Sequence, residues 1–255
     1  MKIVYGPVAS WRLGKSLGVD LICSEKKICS FDCIYCQLEK TNRITMQRDS
    51  FVSIERVKKD LQYALQQTTP DVVTLSGMGE PTLAKNMHEV IQTIRELTDL
   101  PIAILTNSSL MYDKNVQNDL KKLDIIVAKL DAPNQYLFQK ISRPAEGITF
   151  EKTLEGIKKL RKEFSGKFAL QIMFMDENRD YAQELAELAR EIQPDEVQIN
   201  TPLRPCNVKP LLQKELDEIE RAFTGLHTIS VYHSPKPMTD PLDKLDLIKR
   251  RRMES

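Results

Sequence analysis

Three cysteines, Cys29, Cys33 and Cys36, fall within one thirteen-residue stretch, Ile28 to Lys40. Thiolates are soft ligands that suit iron–sulfur clusters or zinc, and the CxxxCxxC spacing lets a tight loop turn all three sulfurs inward. Three ligands leave one iron of a four-iron cluster without a protein ligand, and chemistry can occur at that open position. The other reading of the same residues is a structural zinc knot, in which Cys23 or Cys206 supplies the fourth thiolate.

Downstream, the chain reads Val72-Val73-Thr74-Leu75-Ser76-Gly77-Met78-Gly79-Glu80-Pro81-Thr82-Leu83. A β-branched apolar run followed by two glycines, a carboxylate and a proline reads as a strand breaking into a loop whose backbone is bare for a ligand to approach.

The triplet Cys29, Cys33 and Cys36, with aromatic Tyr35 before the last cysteine and Gly77-Met78-Gly79-Glu80-Pro81 after it, resembles the radical S-adenosylmethionine (SAM) superfamily. The resemblance implies that the three cysteines hold a [4Fe-4S] cluster and that the amino and carboxylate groups of SAM's methionine part occupy the fourth iron. It also implies that the Gly77 to Pro81 segment takes the methionine ammonium. A reduced cluster of this kind passes one electron to the sulfonium of SAM, yielding methionine and a 5′-deoxyadenosyl radical that abstracts hydrogen from substrate. The cofactor supplies the hard chemistry, while the protein positions it and excludes competing reactions. The implied electron source is a low-potential donor such as flavodoxin or ferredoxin.

Tyr5-Gly6-Pro7-Val8, Ser10-Trp11-Arg12-Leu13-Gly14, Ser16-Leu17-Gly18-Val19-Asp20 and Thr201-Pro202-Leu203-Arg204-Pro205-Cys206 are similar to a branch that includes the wyosine-forming tRNA-modifying enzymes. That similarity implies tRNA as substrate. The chain departs from wyosine-forming members, which carry a second set of cluster cysteines ahead of the first, because only Cys23 lies upstream here. The competing enzyme class is an activating enzyme that places a radical on a protein partner, and the non-enzymatic one is a metal-binding scaffold.

These residues need elements to position them. Short β-branched runs alternate with amphipathic stretches, the pattern of parallel strands joined by crossover helices. The expected strands are Val19 to Cys23, Val72 to Ser76, Ile102 to Thr106, Ile125 to Leu130, Ala169 to Met173 and Val197 to Asn200. Helical periodicity covers Ile54 to Gln67, Met87 to Leu97, Asn115 to Lys122, Gln135 to Ile141, Phe150 to Phe164, Tyr181 to Ile192 and Leu211 to Phe223. Six such strands match the partial (β/α)6 barrel that the resemblance implies, an α/β fold with a parallel sheet inside outer helices. One catalytic domain is expected over 1–255, with 1–17 and 224–255 as flanking extensions, and strand-end loops at its C-terminal face carry the site.

Position on these strands nominates further residues. Thr106, Asn107 and Ser108 end the third strand with small polar groups suited to ribose hydroxyls or a carboxylate, or to a capping turn. Lys129 and Asp131 flank Leu130, so their side chains share one face. Gln171 and Asn200 are polar within otherwise apolar strands, suited to bond adenosine or substrate or to stand as satisfied core amides, and Arg143 stands before Pro144, placed to pair with the carboxylate of SAM. Lys129 and Cys206 are the candidates for catalytic roles. Asp20, Trp11 and Arg12 are candidates to roof the cofactor or shape a substrate pocket, while His88, His227 and His233 show no ligand spacing, and Ser234-Pro235-Lys236-Pro237 reads as an extended lid or docking segment.

Composition sets outer bounds. The chain has 255 residues, 41% of them apolar, enough for one sizeable core. Thirty-seven Lys and Arg against 36 Asp and Glu leave a net charge of +1, so no global field argues for nucleic acid. The basic run Lys249-Arg250-Arg251-Arg252 reads as a solvated end. Five cysteines clustered at ligand spacing fit a reducing compartment, and the absence of a long apolar run excludes a membrane span; the expected location is the cytosol.

Overall fold

Strands that bury every residue belong inside a sheet covered on both faces, and two segments here, Val72–Leu75 and Glu196–Asn200, are buried along their whole length. The computed structural model describes residues 2–38 and 40–251. Its strands are β1 (Val4–Ser10), β2 (Gly14–Val19), β3 (Ile28–Cys29), β4 (Arg43–Ile44), β5 (Val72–Leu75), β6 (Ile102–Thr106), β7 (Ile125–Lys129), β8 (Lys167–Met173), β9 (Glu196–Asn200) and β10 (Thr228–Ser230). The helices are α1 (Ile54–Gln67), α2 (Met87–Leu97), α3 (Lys114–Leu120), α4 (Gln135–Ser142), α5 (Phe150–Glu163), α6 (Ala182–Ile192), α7 (Gln213–Glu220) and α8 (Lys244–Arg251).

Eight strands form one curled sheet in the order β1-β2-β5-β6-β7-β8-β9-β10. From β2 to β10 every pairing is parallel, while β1 pairs antiparallel with β2. With the helices outside, this is the half-barrel α/β fold expected from the sequence. Helix starts follow side-chain chemistry: Ser53, Asp113, Asn134 and Thr149 each accept a backbone N–H at the first turn of α1, α3, α4 and α5.

The structure corrects three expectations. The first strand ends at Val19 rather than starting there, because the Asp20 carboxylate accepts the backbone N–H groups of Ile22 (3.1 Å) and Cys23 (2.9 Å) and turns the chain out of the sheet. The regions taken as flanking extensions carry sheet strands: β1 with most of β2 at one end, and β10 at the other. The basic run 249–252 is not simply a solvated end, since Arg250 is buried; Arg252 and the side chains of Lys249 and Arg251 lie outside the described residues. Among the described residues no helix is long and apolar enough to cross a membrane.

Candidate active site

The cysteine loop is built by its neighbours as much as by its own sequence. Phe31 is buried edge-on against Phe138 of α4, with ring centroids 5.3 Å apart. The end of α4 supplies carbonyls: Ser142 and Arg143 accept Asp32 N–H (3.0 and 3.1 Å), and Ile141 accepts Ile34 N–H (3.0 Å). Asp32 and Thr41 close the loop on itself, the carboxylate accepting Thr41 N–H at 2.6 Å and the Thr41 hydroxyl bonding the Phe31 carbonyl at 2.8 Å.

Lys27 is buried in this loop, although sequence reasoning passed over it. Burial alone would lower its ammonium, but the cysteine sulfurs around it, Cys36 first and then Cys29 and Cys33, hold it above its ordinary value. Burial pushes the Cys29 thiol up to about 12, with the Glu80 carboxylate adding to the rise. It pushes Cys33 to about 11, where Lys129 pulls the other way. Among the described residues no three His, Cys, Asp or Glu side chains are gathered tightly enough to hold one metal ion. Neither Cys23 nor Cys206 joins the triplet: the Cys23 thiol lies beside Asp20 and Arg250, and the Cys206 thiol donates to the Val208 carbonyl at 3.2 Å.

The Gly77 to Pro81 loop abuts the cysteine loop directly. Ile28 N–H donates to the Met78 carbonyl (3.2 Å) and Glu80 N–H to the Ile28 carbonyl (3.3 Å). The two glycines are bare because the protein's own chain presses on them: a Cβ on Gly79 would overlap the Ile28 carbonyl oxygen, and one on Gly77 would overlap the Asp20 carboxylate. Pro81 is buried at the start of the short turn that follows.

Glu80 ties this loop to the end of β6. It is 2% exposed and accepts four hydrogen bonds. Its Oε1 takes the Thr82 N–H (3.1 Å), the Thr82 hydroxyl (2.7 Å) and the Thr106 hydroxyl (2.7 Å), while Oε2 takes only the Asn107 N–H (2.7 Å). Burial raises its carboxyl above the ordinary range, against the pull of those bonds. With three of the four donors on Oε1 and one on Oε2, Oε2 is the oxygen with room for another. Asn107 then bridges to the cysteine loop, with Nδ2 at 3.6 Å from the Cys29 sulfur and 2.9 Å from the Ser30 hydroxyl. Ser108 is fully buried, its backbone in the left-handed region (φ 69°), and its hydroxyl bonds the Lys129 carbonyl at 3.0 Å.

Lys129, Asp131 and Tyr35 form one cluster. Lys129 Nζ donates to the Tyr35 hydroxyl at 2.7 Å, lies 4.3 Å from the centre of its ring and sits 3.4 Å from Asp131. The Tyr35 hydroxyl bonds Asp131, whose other oxygen accepts Met173 N–H at 2.7 Å. Burial and the Asp131 carboxylate keep the Tyr35 phenol well above its usual range. Arg143 is placed otherwise than expected: it is an exposed left-handed residue (φ 44°) ending α4, and its carbonyl is what touches the site. Asn200 turns Oδ1 back onto Thr201 N–H (2.9 Å). Gln171 is buried, and its Oε1 accepts a hydrogen bond from the Arg12 guanidinium.

Asp20 is the residue the sequence most undervalued. Besides ending β2, it accepts Met78 N–H (3.2 Å) and forms a fully buried ion pair with Arg250 of α8 at 2.6 Å. The signal in the sequence was the Asp after a strand; nothing marked its partner.

The comparisons with known proteins give a family and a fold. The profile of the Radical SAM superfamily matches residues 27–189. A UPF0026 protein of Synechocystis sp. is 41% identical over 245 residues, spanning 92% of this chain and 85% of the relative. Among solved structures, native anSMEcpe with bound AdoMet superposes with a TM-score of 0.64 at 16% identity, covering 85% of this chain and 64% of that one. TYW1 with a lysine-pyruvate adduct bound superposes with a TM-score of 0.61 at 15% identity, covering 83% and 74%.

Proposed function

The chain belongs to the radical SAM superfamily, and from that membership we propose that Cys29, Cys33 and Cys36 hold a [4Fe-4S] cluster at which SAM is reductively cleaved. When bound, that pair supplies one-electron chemistry and a 5′-deoxyadenosyl radical able to take hydrogen from a substrate. The observation that carries the reading is Asn107. A single residue donates its side chain toward Cys29 and its backbone N–H to Glu80, so the cysteine loop and the Gly77 to Pro81 loop are held as one site.

The residues divide the work. The second acceptor position of Glu80 Oε2 and the main-chain carbonyls of the glycine loop are the groups for the ammonium of SAM. Thr106, Asn107 and Ser108 line the approach from β6, and the Lys129–Tyr35–Asp131 cluster fixes the cysteine loop against β7. Lys27 supplies a cation inside a loop whose thiols must lose protons to become ligands. The electron source is a low-potential donor of the flavodoxin or ferredoxin class. The substrate site of this reading is the mouth of the half-barrel at the C-terminal ends of its strands, and a net charge of +1 offers no global field for a polyanion such as tRNA.

Anaerobic reconstitution with iron and sulfide, reduction with dithionite and chromatographic assay for 5′-deoxyadenosine test the reading. The wild type is expected to yield it, and Cys33→Ala to lose both the iron and the product. Full SAM cleavage by reconstituted Cys33→Ala, or a reconstituted wild type holding only zinc, sinks the assignment.

A further inference from the structure

The inner face of the half-barrel is polar on its later strands. On β8 and β9 the outward row is apolar (Phe168, Leu170 and Ile172; Val197 and Ile199), so the alternation of the pleat turns the other row inward. Register places Lys129, Gln171 and Gln198 side by side on that inner row. Gln198 donates Nε2 to Glu196 at 2.8 Å, and its buried Oε1 has no partner among the described residues.

One guanidinium group bonds this row, and a second acts on the first through its charge. Arg12, in the turn between β1 and β2, donates Nη1 to Gln171, and its Nε is buried without a partner among the described residues. Arg204, in the segment after β9, donates to Gln37, the neighbour of Cys36. Among the described residues neither arginine has a carboxylate within ion-pair distance; Glu196, the acid that acts on Arg12, is paired to Lys167 at 2.8 Å. Burial first, and then the nearby Arg204 charge, pull the Arg12 guanidinium down to about 10. Burial lowers Arg204 as well, although its side chain reaches solvent.

Arg12 keeps a buried Nε without a partner among the described residues, and the Arg204 charge acts on it; negative charges from outside would meet both cations. SAM does not supply them. Its amino-acid end is zwitterionic and its sulfonium is positive, so the cofactor adds a net positive charge to the same mouth. The cysteine loop already has its own cation in Lys27. We infer that Arg12 and Arg204, with the inward amides of Gln171 and Gln198, form a binding site for a dianionic oxyanion, which places the substrate among small molecules carrying a phosphate monoester. Guanidinium groups suit this because their N–H forks match phosphate oxygens two at a time. The inference rests on the proposal that the barrel mouth is the substrate site of a radical enzyme, and it supplies that site's substrate class.

The test uses the full-length, anaerobically reconstituted protein, with inorganic phosphate as the probe. Phosphate is titrated against sodium chloride at constant ionic strength while the thermal midpoint is followed, with acetate as the monoanion control. At about ten times its dissociation constant, phosphate is expected to raise the wild-type midpoint by roughly 3–6 °C. Arg12→Gln and Arg204→Gln are each expected to weaken phosphate binding about tenfold or more, with SAM affinity unchanged. Arg12→Lys, which keeps the charge, should retain part of the effect. Both glutamine variants relieve like-charge repulsion and should melt no lower than wild type in chloride. Phosphate that fails to stabilise wild type, or stabilises both variants equally, overturns the inference. So does acetate acting as well as phosphate, or loss of SAM affinity in the variants, which would assign the pair to the cofactor. A short RNA oligonucleotide that binds where phosphate does not overturns it in favour of a polyanion. Formation of 5′-deoxyadenosine is read separately: arginine-dependent phosphate binding without SAM cleavage keeps this site and removes the radical reading, while cleavage with arginine-independent phosphate binding does the reverse.

Discussion

Glu80 is nearly sealed from water yet carries four donors, and the balance between those terms sets a pH dependence. Because burial raises its folded-state carboxyl above the ordinary value, the folded protein holds this proton more tightly than the unfolded chain does. Stability from this group is therefore fully present below the ordinary carboxylate range and falls as pH rises through it. Across about pH 4 to 7, wild type should lose stability relative to Glu80→Gln, as read by denaturant unfolding at a series of pH values; parallel profiles would show that the bonds cancel the burial. Gly79 makes a different argument. The atoms a Cβ would strike are backbone of Ile28, which cannot rotate away. Gly79→Ala is expected to cost at least about 2 kcal/mol and lower the melting midpoint by roughly 4–8 °C. An unshifted midpoint would show that the two loops slide apart easily.

At the scale of elements, α8 acts on the opposite end of the sequence. Its Arg250 is 4% exposed and Asp20 is 0% exposed. The guanidinium also bonds Asp246 at 2.7 Å and the Lys2 carbonyl, and packs 4.6 Å from the centre of the Tyr5 ring. Asp20 in turn holds Met78 N–H, so helix, hairpin and glycine loop meet at one carboxylate. Arg250→Met leaves a buried charge without its cation and is expected to cost about 3–5 kcal/mol, whereas Asp20→Asn with Arg250→Met should recover a large part of it. Thermal melts of the two single variants and the double one check this; strict additivity would mean that the pair is not coupled.

Across the whole molecule, the inner parallel strands and the hairpin should differ in how readily they open. In hydrogen exchange, β5 to β8, paired on both sides, are expected to exchange most slowly, and the 201–212 and 234–243 segments fastest. Slow exchange in those segments would contradict it. The same contrast explains what was legible in the sequence. Runs such as Val72 to Leu75 and Ile102 to Thr106 announce buried strands by composition alone, and the cysteine spacing announced its loop. Val4 to Ser10 did not, because Gly6 and Pro7 interrupt it and its pairing depends on β2. Thr228 to Ser230 is too short to carry a period. Arg250 reads as part of a solvated charge run and Lys27 draws no reading, since a side chain's charge says nothing about whether a partner waits 230 residues away. Gln198 was overlooked, and Gln171 and Arg12 were read singly, because only sheet register makes them neighbours.

That separation of 230 residues between Asp20 and Arg250 is also an interval of time. Chains emerge from the ribosome N-terminus first at about 5–20 residues per second, so Asp20 precedes Arg250 by roughly 12–46 s. Throughout that interval Asp20 has no Arg250, and the junction of hairpin and glycine loop at this carboxylate is sealed by its buried ion pair only when the last helix has been made.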